Sequence, residues 1–317
     1  MVYLDIFKEI HMKTVSVLLA TYNGEKYLRE QIDSLLKQEG VEVKILARDD
    51  GSKDGTVQIL EEYQARGELI FEKGENLGFS QNFSWLINNA PKADYYACCD
   101  QDDVWLPTKL IDGVMALEAK ENQNLPMLYF TSLKVVDENL NLITEDSHIH
   151  YNNNSKTLFM DNIIMTQCNG CTCIFNNTLK DLYGKVPPHN IFAHDYTLCT
   201  LASAFGEVIF SNNSKMLYRQ HSSNAYGFYK GSLRNMFRSI KAFFKNETKC
   251  IKSHEALLYK YYFFNDLKPQ DKIFVDLITS YRFNKQKRKQ LKKFVKHNIE
   301  SKLIRRFALF LLSIKRL

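Results

Sequence analysis

The sequence predicts a doubly wound α/β domain on a mostly parallel sheet, followed by a helical, basic tail. Short apolar runs rich in β-branched residues recur along the first half of the chain, each closed by a polar cluster. Between them apolar residues repeat at helical spacing. After about Gly231, glycine and proline nearly vanish while lysine and aromatic residues persist to the end.

Thr14 to Ala20 is the first strand, bounded by Thr21-Tyr22-Asn23-Gly24 and read as buried because almost every position is apolar. Tyr27, Ile32, Leu35 and Leu36 mark a helix that Gly40 stops, and Val43 to Ala47 is the second strand. The cycle repeats with helix Thr56 to Tyr63, strand Leu69 to Glu72, helix Phe79 to Asn89, strand Tyr95 to Cys99 and helix Pro107 to Lys120. Beyond it come strands at Met127 to Leu133, Gly170 to Phe175 and Val208 to Phe210, with a polar stretch from Asp137 to Lys156. The expected organisation is a catalytic domain over 12–230 and a helical region over 231–317.

With 317 residues, 45% of them hydrophobic, the chain can bury a full core, and intrinsic disorder is excluded. The net charge of +6 is too small to mark a nucleic-acid binder. Its distribution is uneven: Tyr281 to Leu317 carry 13 Lys/Arg and a single acid, Glu300. Seven cysteines, an odd number set in apolar stretches, favour a reducing compartment over a disulfide framework. Met1 to Met12 lacks the apolar run of an export signal, and the longest apolar segment, Phe307 to Ile314, is too short to span a bilayer.

In such a sheet, ligands bind beyond the carboxyl ends of the strands. Three of those ends are polar: Thr21-Tyr22-Asn23-Gly24, Asp49-Asp50-Gly51-Ser52 and Asp100-Gln101-Asp102-Asp103. Three carboxylates within four residues repel one another unless a cation intervenes, which suits Mg2+ or Mn2+ shared with substrate phosphates. The other reading is a solvated acidic turn capping the next helix. Likewise, Asp49-Asp50-Gly51-Ser52 is either a capped turn or a site where a carboxylate accepts from a pyrimidine imide N–H.

The successive runs VSVLLATYNGEKYLREQIDSLL, DDGSKDGT, NLGFSQN and CDQDDVWLPTKL resemble glycosyltransferase family 2 with the GT-A fold, especially bacterial rhamnosyltransferase-like members of surface-polysaccharide assembly. The resemblance covers about Thr14 to Gly227. It implies that Thr21, Asp49 and Asp50 hold the nucleotide base, with Tyr22 and Asn23 beside them. Asn76, Gly78 and Asn82 would approach the ribose or pyrophosphate. Asp100 and Asp102, with Gln101 between them, match the family's Asp-x-Asp pair, which positions the metal and diphosphate.

Members also place an acid at the start of a later helix as the base of an inverting transfer, which here is Asp195, with His194 where a glutamate is common. Gly170, Cys171 and Thr172 match the segment facing the acceptor. Tyr218-Arg219-Gln220-His221, with Asn224 and Gly227, resembles the segment after the last strand, where Arg219 would screen the diphosphate and His221 would complete the metal sphere. Cys168, Cys171 and Cys173 also invite a zinc reading, although no fourth ligand follows at suitable spacing.

The tail interleaves basic residues with Phe283, Leu291, Phe294, Val295, Ile299, Leu303 and Ile304. It reads as an interfacial helix on an anionic membrane, or else as a segment packed on the domain or between two copies. The expected activity is inverting transfer from a UDP- or dTDP-sugar to a glycan, lipid-linked, by an enzyme peripheral to the inner face of the cell membrane. A sugar-nucleotide nucleotidyltransferase or a noncatalytic sugar-nucleotide-binding module are the other readings.

Overall fold

A computed structural model describes residues 12–145, 151–166, 168–221 and 251–313. The segment 1–11, Asn224, Gly227 and Ile314 lie outside the described residues. The first half of the chain alternates as its periodicity requires: β1 (Thr14–Thr21), α1 (Leu28–Leu36), β2 (Glu42–Asp49), α2 (Thr56–Ala65), β3 (Ile70–Lys73), α3 (Phe79–Asn89) and β4 (Tyr95–Cys99). A two-residue strand β5 (Val104–Trp105) precedes α4 (Lys109–Glu118), and β6 (Met127–Thr131) follows. The chain then makes β7 (Lys134–Val136), β8 (Leu142–Glu145), α5 (Leu158–Ile164), β9 (Ile174–Asn176), α6 (Asn177–Tyr183), α7 (His194–Phe205), β10 (Glu207–Ser211) and β11 (Met216–Arg219). Among the described residues four α-helices close it: α8 (Ile251–Leu258), α9 (Pro269–Ser280), α10 (Lys285–Asn298) and α11 (Lys302–Ser313).

The main sheet has seven strands in the order β10-β6-β9-β4-β1-β2-β3. β1 pairs in parallel with both β2 and β4, so the winding reverses beside it and a crevice opens at the carboxyl ends of these three strands. β9 runs antiparallel between β4 and β6, which makes the sheet mixed. A second sheet, β5-β11-β7-β8, stands next to that crevice and brings the chain after β4 together with the chain after β10. The architecture is α/β, with a mixed, mostly parallel central sheet and C-terminal helices.

Three expectations change. Gly170 to Phe175 is not one strand: Gly170–Thr172 form a 3-10 turn, and only Ile174–Asn176 pair. Tyr218 and Arg219 lie inside the last strand, not after it. The tail's apolar stripe turns inward, because Leu291, Val295, Ile299 and Ile304 are all less than 5% exposed. The stripe has a protein partner: Phe294 stacks on Phe274, and the whole group joins one core with Leu18, Phe83, Phe130 and Leu198 on one face of the sheet. The other face is covered by α1, α2 and α4, and the period of two along β1 divides its side chains: Val15, Val17 and Leu19 go there while Leu18 joins the first.

The inward stripe makes α11 part of the domain's stability. Leu311 is fully buried in the core that spans sheet and tail. Leu311→Ala is expected to cost about 2–5 kcal/mol in urea unfolding; a loss below about 0.5 kcal/mol would show that the helix is not packed there.

Candidate functional site

The crevice beside β1 is a cleft of about 400 Å³ lined by Thr21, Tyr22, Asp50, Asn76, Gly78, Asn82, Asp100, Gln101 and Asp102, with Phe79, Phe83 and Tyr218. Nine sequence-predicted residues therefore line one cleft. Asn23, Asp49 and Arg219 do not line it, and the hydrogen bonds explain why. Asp49 is fully buried and accepts from Thr21 Oγ1 (3.2 Å), Gly51 N (3.1 Å), Ser52 N (2.8 Å) and the Ser52 hydroxyl, so its carboxylate closes the turn. Asn23 accepts from Lys53 N (2.9 Å) and ties the first loop to the second.

Asp50 does face the cleft. Arg48 donates to its Oδ1 at 2.7 Å and both side chains are 4% exposed, while Leu77 N and Gly78 N donate to Oδ1 and Oδ2 at 2.9 Å. Arg48 also reaches Asn82 Oδ1 (2.9 Å) and the Glu75 carbonyl (3.1 Å), so one buried ion pair shapes the loop carrying Asn76 and Gly78. A Cβ on Gly74 would stand 2.0 Å from Arg48 Nη2, so a larger residue there would push the guanidinium out of this network. Across the cleft, Gln101 accepts from Tyr22 N (2.7 Å) and donates to its carbonyl (3.0 Å), fixing the end of β1 to the acidic tetrad.

Within the tetrad the three acids take different roles. Asp102 Oδ2 lies 2.8 Å from His221 Nε2, and the His221 ring lies 4.8 Å from that of Tyr27. Asp103 is fully buried: its Oδ1 accepts from Arg219 N (3.1 Å), and its Oδ2 has no partner among the described residues. Asp100 is pushed up to about 7 by burial, then by the charges of Asp102 and Asp195. Arg219 is turned away from the cleft as a strut. It donates to the Asp102 carbonyl (2.8 Å) and the Glu138 carbonyl (2.7 Å), pairs with Glu30 and lies over the Tyr27 ring.

These features suit a divalent cation. Ligand atoms of Asp100, Asp103 and Cys171 all lie within 4.8 Å of one another, Asp102 and His221 stand together beside them, and an orphaned carboxylate oxygen with a carboxyl raised by its neighbours marks uncompensated negative charge. Asp103 and Cys171 join the expected set of Asp100, Asp102 and His221. The zinc reading fails on geometry, since Cys171 faces Asp100 and the opposite core cluster from Cys168 and Cys173, whose sulfurs are 3.1 Å apart.

Asp195 lies in the first turn of α7, with Oδ1 accepting from Tyr196 N at 2.8 Å. His194 is buried beneath it, stacked on Phe83 at 3.9 Å, and burial lowers its pKa. Of the three expected acceptor-side residues only Gly170 meets this pair. Its missing side chain leaves room for His194 Nε2, which would lie 2.4 Å from a Cβ there, while Thr172 Oγ1 donates to the Asn169 carbonyl at 2.8 Å and Cys171 faces Asp100.

Glu255, from α8, was absent from the sequence reading. It is fully buried under α7, with Oε2 3.2 Å from Thr197 Oγ1 and Oε1 2.7 Å from Thr200 Oγ1. A single glutamate in a lysine-rich region carries no signal of such burial; only the apolar residues around it, Ala256 and Leu258, hint at an inward face.

The family model for glycosyl transferase family 2 matches residues 16–182. The chain is similar to an uncharacterized glycosyltransferase of Rickettsia typhi, 24% identical over 238 residues that cover 74% of this chain and 73% of that protein. It is also similar to the dTDP-rhamnosyl transferase RfbG of Shigella flexneri, 27% identical over 230 residues covering 66% and 73%. Among solved structures, S. aureus TarS 1-349 in complex with UDP-GlcNAc superposes with a TM-score of 0.55 at 16% identity, over 96% of this chain and 88% of that one.

The Glu255 site predicts a pH dependence of stability. Burial pushes its carboxyl from the ordinary 4.5 up to about 7, so the folded chain keeps a proton that the unfolded chain has lost. Its effect is neutral below the unfolded value, and stability is lost as the pH rises through the window between the two. Glu255→Gln should shrink the difference in unfolding free energy between about pH 5 and pH 8 by on the order of 2–3 kcal/mol in urea melts. An unchanged difference would show that Glu255 does not titrate in that window.

Proposed function

The chain belongs to glycosyl transferase family 2, and we propose that it is an inverting, metal-dependent enzyme moving a sugar from UDP or dTDP to a glycan of the cell surface. One observation carries this reading: Asp50 and the Asp100–Asp102 pair line opposite parts of a single cleft, and Asp195 is close enough to raise Asp100. Among the described residues Asp50 Oδ2 has one donor, Gly78 N, which leaves a lone pair for the imide N–H of uracil or thymine. Asn76 and the Gly78 backbone then lie along the ribose and diphosphate. The relative RfbG, a dTDP-rhamnosyl transferase, supports the thymidine option.

Asp100 and Asp102, with His221, would hold Mg2+ or Mn2+, and such an ion supplies charge neutralisation for the departing diphosphate. The chain's own residues do the rest. Gln101 fixes the tetrad against β1, and the Arg219 strut fixes the Asp102 backbone. Asp195 accepts the proton of the acceptor hydroxyl as it attacks the anomeric carbon on the face opposite the nucleotide, which inverts that centre. The acceptor we assign is a lipid-linked glycan of capsule or O-antigen type, which brings the enzyme to the inner face of the cell membrane. No helix among the described residues is long and apolar enough to cross it.

Two measurements test the roles. Chelation by EDTA should abolish transfer, and Asp102→Asn should cripple it while the melting temperature holds; full activity of that variant in metal-free buffer would refute the metal role. Asp195→Asn should lower turnover about 10²-fold or more with donor affinity nearly unchanged. Lost donor affinity at preserved turnover would make Asp195 a binding residue instead.

A further inference from the structure

The C-terminal helices bury most of their apolar residues, and the outer side of α10 is basic, while Leu303 and Phe310 of α11 stay exposed. Lys285, Lys289, Lys292, Lys293 and Lys296 of α10 are exposed, the helix contains no acid, and none of the five has an acidic partner among the described residues. Leu291 and Val295 anchor the opposite side of that helix in the core, which fixes the lysines toward solvent. Between α9 and α10 lies an open groove of about 610 Å³ lined by Phe264, Leu277 and Phe294 and by Lys272, Lys293 and His297, and its one acid, Asp276, is paired with Lys260 and Lys287. Phe283, in the turn joining the two helices, is 95% exposed between Arg282 and Lys285, and Ile273 on α9 is 53% exposed. An aromatic ring held wholly in water between cations is poorly placed for a soluble surface and well placed for a membrane interface, where its apolar body leaves water while the cations meet phosphate.

We propose that α10 and the α9–α10 turn form a docking surface for an anionic phospholipid bilayer, with the lysines on the headgroup phosphates and Phe283 entering the interface. The mode differs from the insertion of an amphipathic helix, because the stripe such insertion would need is occupied by the protein's own core. The contact is mainly electrostatic, each lysine near the surface contributing about a five-fold factor in partitioning, and it weakens as salt rises. It rests on the proposed lipid-linked acceptor only for its purpose, since vesicle binding is read without any sugar.

The test is co-sedimentation of the full chain with vesicles of phosphatidylcholine alone or mixed with phosphatidylglycerol, at low and high salt. Binding should require the anionic lipid and fall with salt. The combined Lys285→Glu, Lys289→Glu, Lys292→Glu and Lys293→Glu variant should bind at least about 100-fold more weakly, and Phe283→Ser should lose the part of the binding that survives high salt. Both should keep the wild-type melting temperature and donor hydrolysis, neither of which depends on this face. Failure of the full chain to bind anionic vesicles would overturn the proposal. So would undiminished binding by the four-lysine variant, or displacement from vesicles by a soluble polyanion such as RNA at equal charge concentration. Donor hydrolysis by the unaltered full chain is scored separately, so its absence there would count against the enzymatic reading and leave the surface standing.

Discussion

Burying a carboxylate at the mouth of a sheet costs several kcal/mol unless a cation meets it, and the Arg48–Asp50 pair is where this chain meets that cost. The guanidinium does more than neutralise. By reaching Asn82 and the Glu75 carbonyl as well, it turns one ion pair into the frame of the loop that bears Asn76 and Gly78. Asp50, already supplied with donors, is then held at a fixed angle toward the cleft, with little rotamer freedom left to lose when a base arrives. On the other wall, among the described residues, the acids outnumber their local partners, with Asp103 Oδ2 unsatisfied and Asp100 raised. One side of the cleft is electrostatically complete and the other awaits a cation, a division that suits a ligand carrying a base at one end and a metal-bound diphosphate at the other.

The second organising constraint is the double duty of α7. Its first turn presents Asp195 beside Gly170, and its body is packed from beneath by Ile163, Leu179 and the helices of the tail. Thr197 and Thr200 on the inner side of α7 meet Glu255 from α8, so a polar contact sets the rotation of the helix within an otherwise apolar interface. The basic tail thus has two faces with separate work: the inner one steadies the helix that carries the proposed base, and the outer one carries the charge.

Much of this was legible in the sequence, for identifiable reasons. Buried parallel strands such as Tyr95–Cys99 announce themselves as unbroken apolar runs, and the polar residues that end them mark the crevice. Very short strands do not: Val104–Trp105 and Lys134–Val136 have too few residues for a period to show, and β11, which pairs with both, is remote in sequence. Adjacent Asp49 and Asp50 look alike on paper, yet strand alternation sends one into the turn and the other to the cleft. Arg219 shows the limit of reading charge as ligand contact, since a buried arginine in a strand serves nearby carbonyls first. In the tail, periodicity revealed an apolar side without revealing what would cover it, and only the fold distinguishes a protein core from a lipid one.

The contact between α7 and α8 also bears on how such enzymes can be recombined. The stretch matched by the family model ends at residue 182, within α6, while the helix bearing Asp195 and the acid beneath it come later. A chimaera with a crossover between these two helices would set Thr197 and Thr200 against a foreign surface, leaving their hydroxyls without Glu255 inside an apolar interface. A crossover placed before α7 would keep the three residues together and transplant them as one inherited unit.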